Sequence, residues 1–287
     1  MRRPVLAVMC LVALAALVGC GGATAGSPSP AGSSSPAGSS SPAGSPSPTS
    51  TPAPHPSATA PPLTTPSAPP AKPKQVVVLD PGHNGGNASH PTEINRPVPA
   101  GRGRTKPCNT TGTATNAGYP EHEFTWDVAM RVRDLLTAQG VQVIMTRQDD
   151  TGVGPCVDQR AAIGNQSGAA AVVSIHADGS TAASAHGFHV AYSSPPLNDA
   201  QGQPSMTLAT TMRDKMVAAG FPTSTYIGSN GLSPRDDLGG LNLSERPAVL
   251  VECGNMRNAT EAAAFTTPAG RQSYAAAIAT GILAYLG

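Results

Sequence analysis

Val76-Val77-Val78-Leu79-Asp80-Pro81-Gly82-His83-Asn84 is the stretch on which the fold turns. It opens as an unbroken apolar run with β-branched residues, the pattern of a strand buried on both faces. Pro81-Gly82 then breaks the run and delivers a histidine just past the strand end. The design recurs twice. Ala171-Val172-Val173-Ser174-Ile175 runs into His176-Ala177-Asp178, and Ala248-Val249-Leu250-Val251 runs into Glu252-Cys253-Gly254. In open α/β sheets, ligands gather at the carboxyl ends of parallel strands. His83, His176 and Glu252 are therefore expected to meet in one cleft.

Helical patterns separate these strands. Phe124, Val128, Val132, Leu135 and Leu136 recur at helical spacing from about Glu121, and Gly140 supplies the stop. Residues 141–147 read as the next strand, and 158–162, after Pro155, as a short helix. Residues 187–192 alternate in the manner of an edge or antiparallel strand. Pro204-Ser205 opens a helix with Ala209, Met212 and Met216 on one face, ended by Gly220. Tyr274, Ile278, Ile282, Tyr285 and Leu286 mark an amphipathic C-terminal helix. Residues 221–246 are punctuated by Gly and Pro and yield no assignment. Residues 84–120 read as a long loop, a length that is usually functional. Its Arg102, Arg104 and Lys106 suit either an acidic ligand or solvent. Strands alternating with helices predict a single α/β domain over 75–287, three-layered, with a mostly parallel twisted sheet flanked by helices.

Met1-Arg2-Arg3, an apolar run over 5–18 and Gly19-Cys20 together describe an export signal over 1–20. Leu17-Val18-Gly19-Cys20 also looks like a bacterial lipobox, which makes Cys20 the expected site of lipidation. Residues 21–74 are dominated by Ser, Pro, Ala, Gly and Thr. Such a segment is expected to be disordered, a tether reaching roughly 40 Å as a flexible coil. A net charge of +1, with no basic stripe interleaved with aromatics, argues against nucleic acid as a partner. No second apolar run is long enough to span a bilayer. Membrane contact is thus expected through the lipid anchor only. The domain is placed in the cell envelope, at the outer face of the cytoplasmic membrane, or secreted if Cys20 is not acylated.

Export decides how the other cysteines read. Cys108, in a polar loop, and Cys156, at a loop-to-helix boundary, are expected to form a disulfide. Cys253 ends an apolar strand and is expected to be a buried free thiol. With no CxxC pair, a structural zinc knuckle is disfavoured.

Two histidines and a carboxylate at strand ends suit a hydrolytic zinc site, which takes three protein ligands and leaves a position for water. His83 and His176 would supply nitrogens and Glu252 the proton carrier, with the third ligand missing. Glu121-His122-Glu123 offers three candidates among which spacing does not choose. A glutamate is in any case favoured at a helix head, by ~0.3–1 kcal/mol, without any metal. Asp80 and Asp178 either orient the imidazoles or, for Asp80, shape the Pro-Gly turn. Arg160 either pairs with a carboxylate near the site or, the safer reading, lies on a helix surface. His122 reads as exposed rather than as a hydrogen-bond partner of a ligand. His186 and His189 read as structural, with His189 also a candidate to line the cleft. His55 and His90 claim nothing.

Leu79-Asp80-Pro81-Gly82-His83, the Glu121 helix head, Ser174-Ile175-His176-Ala177-Asp178 and Pro247-Ala248-Val249-Leu250-Val251-Glu252 occur in the order found in zinc-dependent N-acetylmuramoyl-L-alanine amidases. The chain resembles that family over nearly all of 75–287. A lone PGH or HAD is common; four motifs in order are far more specific. The resemblance implies one zinc ion on His83, Glu121 and His176, with Glu252 as the catalytic carboxylate. It also implies the reaction: hydrolysis of the amide between the lactyl group of N-acetylmuramic acid and L-alanine in peptidoglycan or muropeptides, in wall turnover. Asn258 and Glu261 resemble the Asn and Glu that often trail the family's glutamate. Cys253-Gly254 departs from the Gly-Phe often found there, and no separate wall-binding repeat is visible. The residues alone support metal-assisted amide hydrolysis, by a chain expected to be a monomer. A zinc peptidase on stem peptides and a non-catalytic wall-binding lipoprotein stand as alternatives.

Overall fold

The computed structural model describes residues 75–287, so the export signal, the Cys20 lipobox and the linker expected over 1–74 lie outside the described residues. Strand β1 (Val76–Pro81) enters the stretch expected to be a long loop, which proves to be partly built. It holds a short helix α1 (Pro91–Ile94) and an antiparallel hairpin of β2 (Pro97–Pro99) and β3 (Thr105–Pro107). Strands of three residues that end in proline carry no alternation, which is why they do not read as strands. Helix α2 (Glu121–Ala138), β4 (Gln142–Met145), α3 (Val157–Gln166) and β5 (Ala171–Asp178) follow. Next come β6 (His189–Ser193), α4 (Gln203–Ala218), β7 (Leu232–Arg235), α5 (Gly239–Asn242) and β8 (Ala248–Asn255). Helices α6 (Ala259–Thr266) and α7 (Pro268–Leu286) close the chain.

The main sheet has the order β4-β1-β5-β8-β6-β7. Strands β4, β1, β5 and β8 are parallel neighbours, with β6 antiparallel to β8 and parallel to β7. The alternation of 187–192 thus belongs to an antiparallel strand, but one inside the sheet. The edge beyond it is β7, from the stretch that yields no assignment.

The sheet's faces are covered unequally. Val77, Leu79, Val173, Ile175, Val249 and Val251 pack under α2, α4 and α7, against Phe124, Leu136, Met212, Ile278 and Ile282, all buried. Burying each such side chain stabilises by roughly 1.5–3 kcal/mol. On the other face Val78, Val172, Ala191 and Ala248 meet only the thinner cover of α3 and α5. Among the described residues no helix is long and apolar enough to cross a membrane.

The hairpin is tied down by its cations. Arg102 donates to Asn242 Oδ1 and Ser193 Oγ, Arg104 pairs with Asp236, and Lys106 reaches the Asp237 carbonyl at 3.4 Å. Arg102 and Arg104 thus serve the protein's own segments, while Lys106 also lines the cleft between α3 and α5. Cys108 and Cys156 form the expected disulfide, joining the hairpin's exit to the head of α3. Cys253 is a buried free thiol.

Candidate active site

Where β1 ends, Gly82 N–H donates to the Ile175 carbonyl at 2.9 Å, holding the turn against β5. The next residue, His83, sits at φ 61°, a left-handed conformation unusual for a non-glycine residue. Its Nδ1 lies 3.1 Å from the Thr110 carbonyl and its Nε2 3.1 Å from Glu121 Oε2. His176, near the end of β5, places Nδ1 3.0 Å from Glu121 Oε1. The two rings meet edge-on, centroids 4.8 Å apart.

Glu121 is the first residue of α2 and only 4% exposed. Its Oε2 accepts from Thr113 N–H at 2.9 Å and its Oε1 from Ala177 N–H at 3.1 Å. Of the three candidates at the helix head, only Glu121 points inward. Glu123 is exposed, and His122 turns away to Asp150 Oδ2 at 2.8 Å. His122 is thus half-buried and paired, not the exposed residue expected. One ligand atom from each of His83, Glu121 and His176 lies within 4.8 Å of the other two. Two glycines make the room. A Cβ on Gly82 would meet His176 Cε1 at 2.3 Å, and one on Gly112 would meet Glu121 Oε2 and His83 Cδ2 at 2.8 Å.

Glu252, on β8, lies in register opposite His176 of β5 on one side and His189 of β6 on the other. Burial, reinforced by repulsion from Glu121 and Asp178, pushes its carboxyl well above the usual range. Its Oε2 is buried without a hydrogen-bond partner. Glu121 is the converse: burial raises its carboxyl, but the charge of His83 and hydrogen bonds from both imidazoles hold it well below the usual range. His189 is 1% exposed, and its Nδ1 has no partner, so it is not the satisfied structural histidine expected. Burial lowers its pKa to about 4, leaving the ring neutral at neutral pH. Arg235 of β7 is the cation whose charge opposes the rise at Glu252. It comes from the unassigned stretch, where no periodic signal announces it.

Asp80 does not orient an imidazole. Its carboxylate accepts from Arg160 Nη1 at 2.7 Å, Thr146 Oγ1 at 2.6 Å and Ser174 Oγ at 2.6 Å. Burial raises its pKa, but these partners outweigh it and bring the value down to about 2. Arg160 is 5% exposed, which overturns the surface reading. Asp178 Oδ1 accepts from Gly179 N–H at 2.6 Å and so shapes its own loop. Asn258 caps α6, and Glu261 accepts from Gly187 and Asn255 N–H groups, bracing the loops behind the site.

The cluster opens into a cleft of about 320 Å³ that runs between α3 and α5 over Val172, Ser174 and Leu250. Two imidazoles and a carboxylate make a donor set suited to a divalent metal. His83 Nδ1 faces a backbone carbonyl, a pairing that fixes the tautomer and frees Nε2 for a ligand.

A buried His-Glu-His set, two histidines at strand ends and a glutamate at a helix head, beside a carboxyl of raised proton affinity, is the apparatus of a metal-dependent hydrolase. The model of the N-acetylmuramoyl-L-alanine amidase family matches residues 77–284, and the chain belongs to that family. The N-acetylmuramoyl-L-alanine amidase Rv3717 of Mycobacterium tuberculosis is 48% identical over 231 residues, covering 80% of this chain and 94% of that protein. The crystal structure of the amidase Ami1 from Mycobacterium smegmatis superposes with a TM-score of 0.72 at 55% identity. It covers 74% of this chain and 97% of its own. The apo form of Ami1 from Mycobacterium abscessus gives 0.72 at 56% identity, covering 74% and 99%. The activity is that of an N-acetylmuramoyl-L-alanine amidase on peptidoglycan, outside the cytoplasm, and the His83-Glu121-His176 cluster is consistent with the family's metal site.

Proposed function

We propose that this amidase holds one zinc ion on His83, Glu121 and His176 and uses Glu252 as its proton carrier. The observation behind the reading is the approach of the three ligand atoms to within 4.8 Å, with Glu252 in register beside His176. Zinc at such a site lowers the pKa of water towards ~7 and polarises a substrate carbonyl. Glu252 takes the proton from the attacking water and passes it to the leaving amide nitrogen. Its buried Oε2, which no group among the described residues hydrogen-bonds, is available for both transfers. Glu121, held well below the usual carboxylate range, stays ionised and would supply the anionic ligand between the two imidazoles. The bond cut is the amide between the lactyl group of N-acetylmuramic acid and L-alanine. Residues 1–20 and Cys20 support export with lipid anchoring, and 21–74 a tether from the membrane to the wall. The chain is taken to work as a monomer, without nucleic acid.

Purified protein acting on wall fragments should release muramoyl lactyl carboxylates and peptides with a free alanine amino terminus, read by mass. A clipped peptide bond in their place would make the enzyme a peptidase. Glu252→Gln should keep its zinc and lose turnover about 10²–10⁴-fold. Turnover at the wild-type rate in that variant would remove Glu252 from the chemistry.

A further inference from the structure

We infer that Arg147 and Arg160 form a clamp that presets the His83 turn for its metal, a positioning role that rests on reading His83 as a ligand. The carbonyls of Pro81, Gly82 and His83 all point into these two guanidinium groups. Arg160 donates from Nη1 to the Pro81 carbonyl at 2.6 Å and from Nη2 to the His83 carbonyl at 2.7 Å. From the other side, Arg147 donates from Nε to the Pro81 carbonyl at 3.0 Å and from Nη2 to the Gly82 carbonyl at 3.4 Å. Thr125 Oγ1, which also accepts from Arg147, donates to the Gly82 carbonyl at 2.8 Å.

Three consecutive carbonyls, Pro81, Gly82 and His83, are thus each fixed by a guanidinium group, which restricts how the chain can turn at His83. His83 sits there at φ 61°, which a non-glycine residue keeps only when its surroundings over-determine it. The clamp is anchored outside the turn. Arg160 also donates to Asp80, to the Gly154 carbonyl and to the Pro155 carbonyl, all within 2.9 Å. Arg147 also reaches the Asp149 carbonyl, Asp150 and the His122 carbonyl.

Arg160 lines the cleft, yet all five of its N–H donors are spent on these acceptors, so none remains for a substrate. It therefore acts through the backbone of His83. Lysine offers three donors on a flexible stem and no planar fork, and cannot satisfy this set.

The test uses Arg160→Lys and Arg147→Lys, with zinc affinity measured by competition against a chromophoric chelator and the visible spectrum recorded on the Co²⁺-loaded protein. The zinc Kd should rise about 10–100-fold, the usual effect of losing a group that orients a ligand, and the Co²⁺ bands should shift. Leu136→Ala, a core change in α2 remote from the turn, should lower thermal stability and leave the Kd within about twofold. Variants that bind zinc as wild type does, or a Leu136→Ala Kd that rises equally, would overturn the clamp. Metal-free wild type gives a reading that needs no variant. A preset site takes up zinc in one concentration-dependent phase, and a slow phase independent of zinc concentration would overturn the clamp. A wild type that binds no zinc at all would instead overturn the ligand reading beneath it.

Discussion

Gly82→Ala isolates one question, whether the site depends on the position of the His176 ring. Gly82 lies outside the left-handed region, so alanine meets no backbone obstacle there, and the effect is purely one of space. Its methyl would lie 2.3, 2.5 and 2.6 Å from His176 Cε1, Nε2 and Nδ1, whereas ordinary contact begins at 3.4 Å. The ring must retreat by about 1 Å, yet its Nδ1 is held at 3.0 Å from Glu121. Crowding of this kind costs about 1–3 kcal/mol, a fall in Tm of roughly 3–10 °C for a domain of this size. The chemical consequence is larger, because a 1 Å misplacement at a reacting centre costs about 10²-fold in rate. Stoichiometric zinc after dialysis, rate on wall fragments and Tm are measured together. Ile282→Val, a core change in α7 costing about 0.5–1.5 kcal/mol, should lower Tm with full metal and full rate. Gly82→Ala protein with one zinc per chain and a rate within threefold of wild type would refute the dependence on that ring.

Glu121→Ala should lose bound zinc while Glu123→Ala retains it, as measured by elemental analysis; the reverse would move the third ligand along the helix head. Asp80 gives the metal-free protein a pH signature. Its folded pKa of about 2 lies below the ordinary 3.8, so its stabilisation is complete above the unfolded value and lost as pH falls from about 4 to 2. The shift corresponds to about 2 kcal/mol. In urea unfolding, the deficit of Asp80→Asn should therefore shrink across that window, and a constant deficit would contradict the pairing. Replacing Cys108 and Cys156 together by serine should lower stability by roughly 4 kcal/mol for a cross-link spanning 48 residues. A loss under about 1 kcal/mol in urea titration would show that the unfolded chain gains little freedom.

The layered sheet and the meeting of His83, His176 and Glu252 are legible because an apolar run of four or more residues, cut by a polar group, is a strong signal. The choice of Glu121 over its two neighbours needs the orientation of α2, which places position 121 under the β5 end and position 123 in solvent. Arg160 is misread because its own position on the buried side of α3 faces backbone carbonyls and a carboxylate rather than apolar side chains. A periodicity that counts hydrophobes does not register it. The β2–β3 hairpin and β7 fail for a related reason: short strands containing proline are set by pairing partners distant in sequence. Nor does local pattern show that His189 lies opposite Glu252, since only the antiparallel register of β6 and β8 brings them side by side.

The unequal covering of the sheet divides labour by parity along each strand. Along β5 and β8 the residues alternate between the packed core and the cleft: Val173 and Ile175 against Ser174 and His176, Val251 against Leu250 and Glu252. A slip of one residue would exchange the two sets, driving carboxylate and imidazole into the apolar layer and valines into the cleft. The force that buries the valines is thus the one that aims the reactive groups.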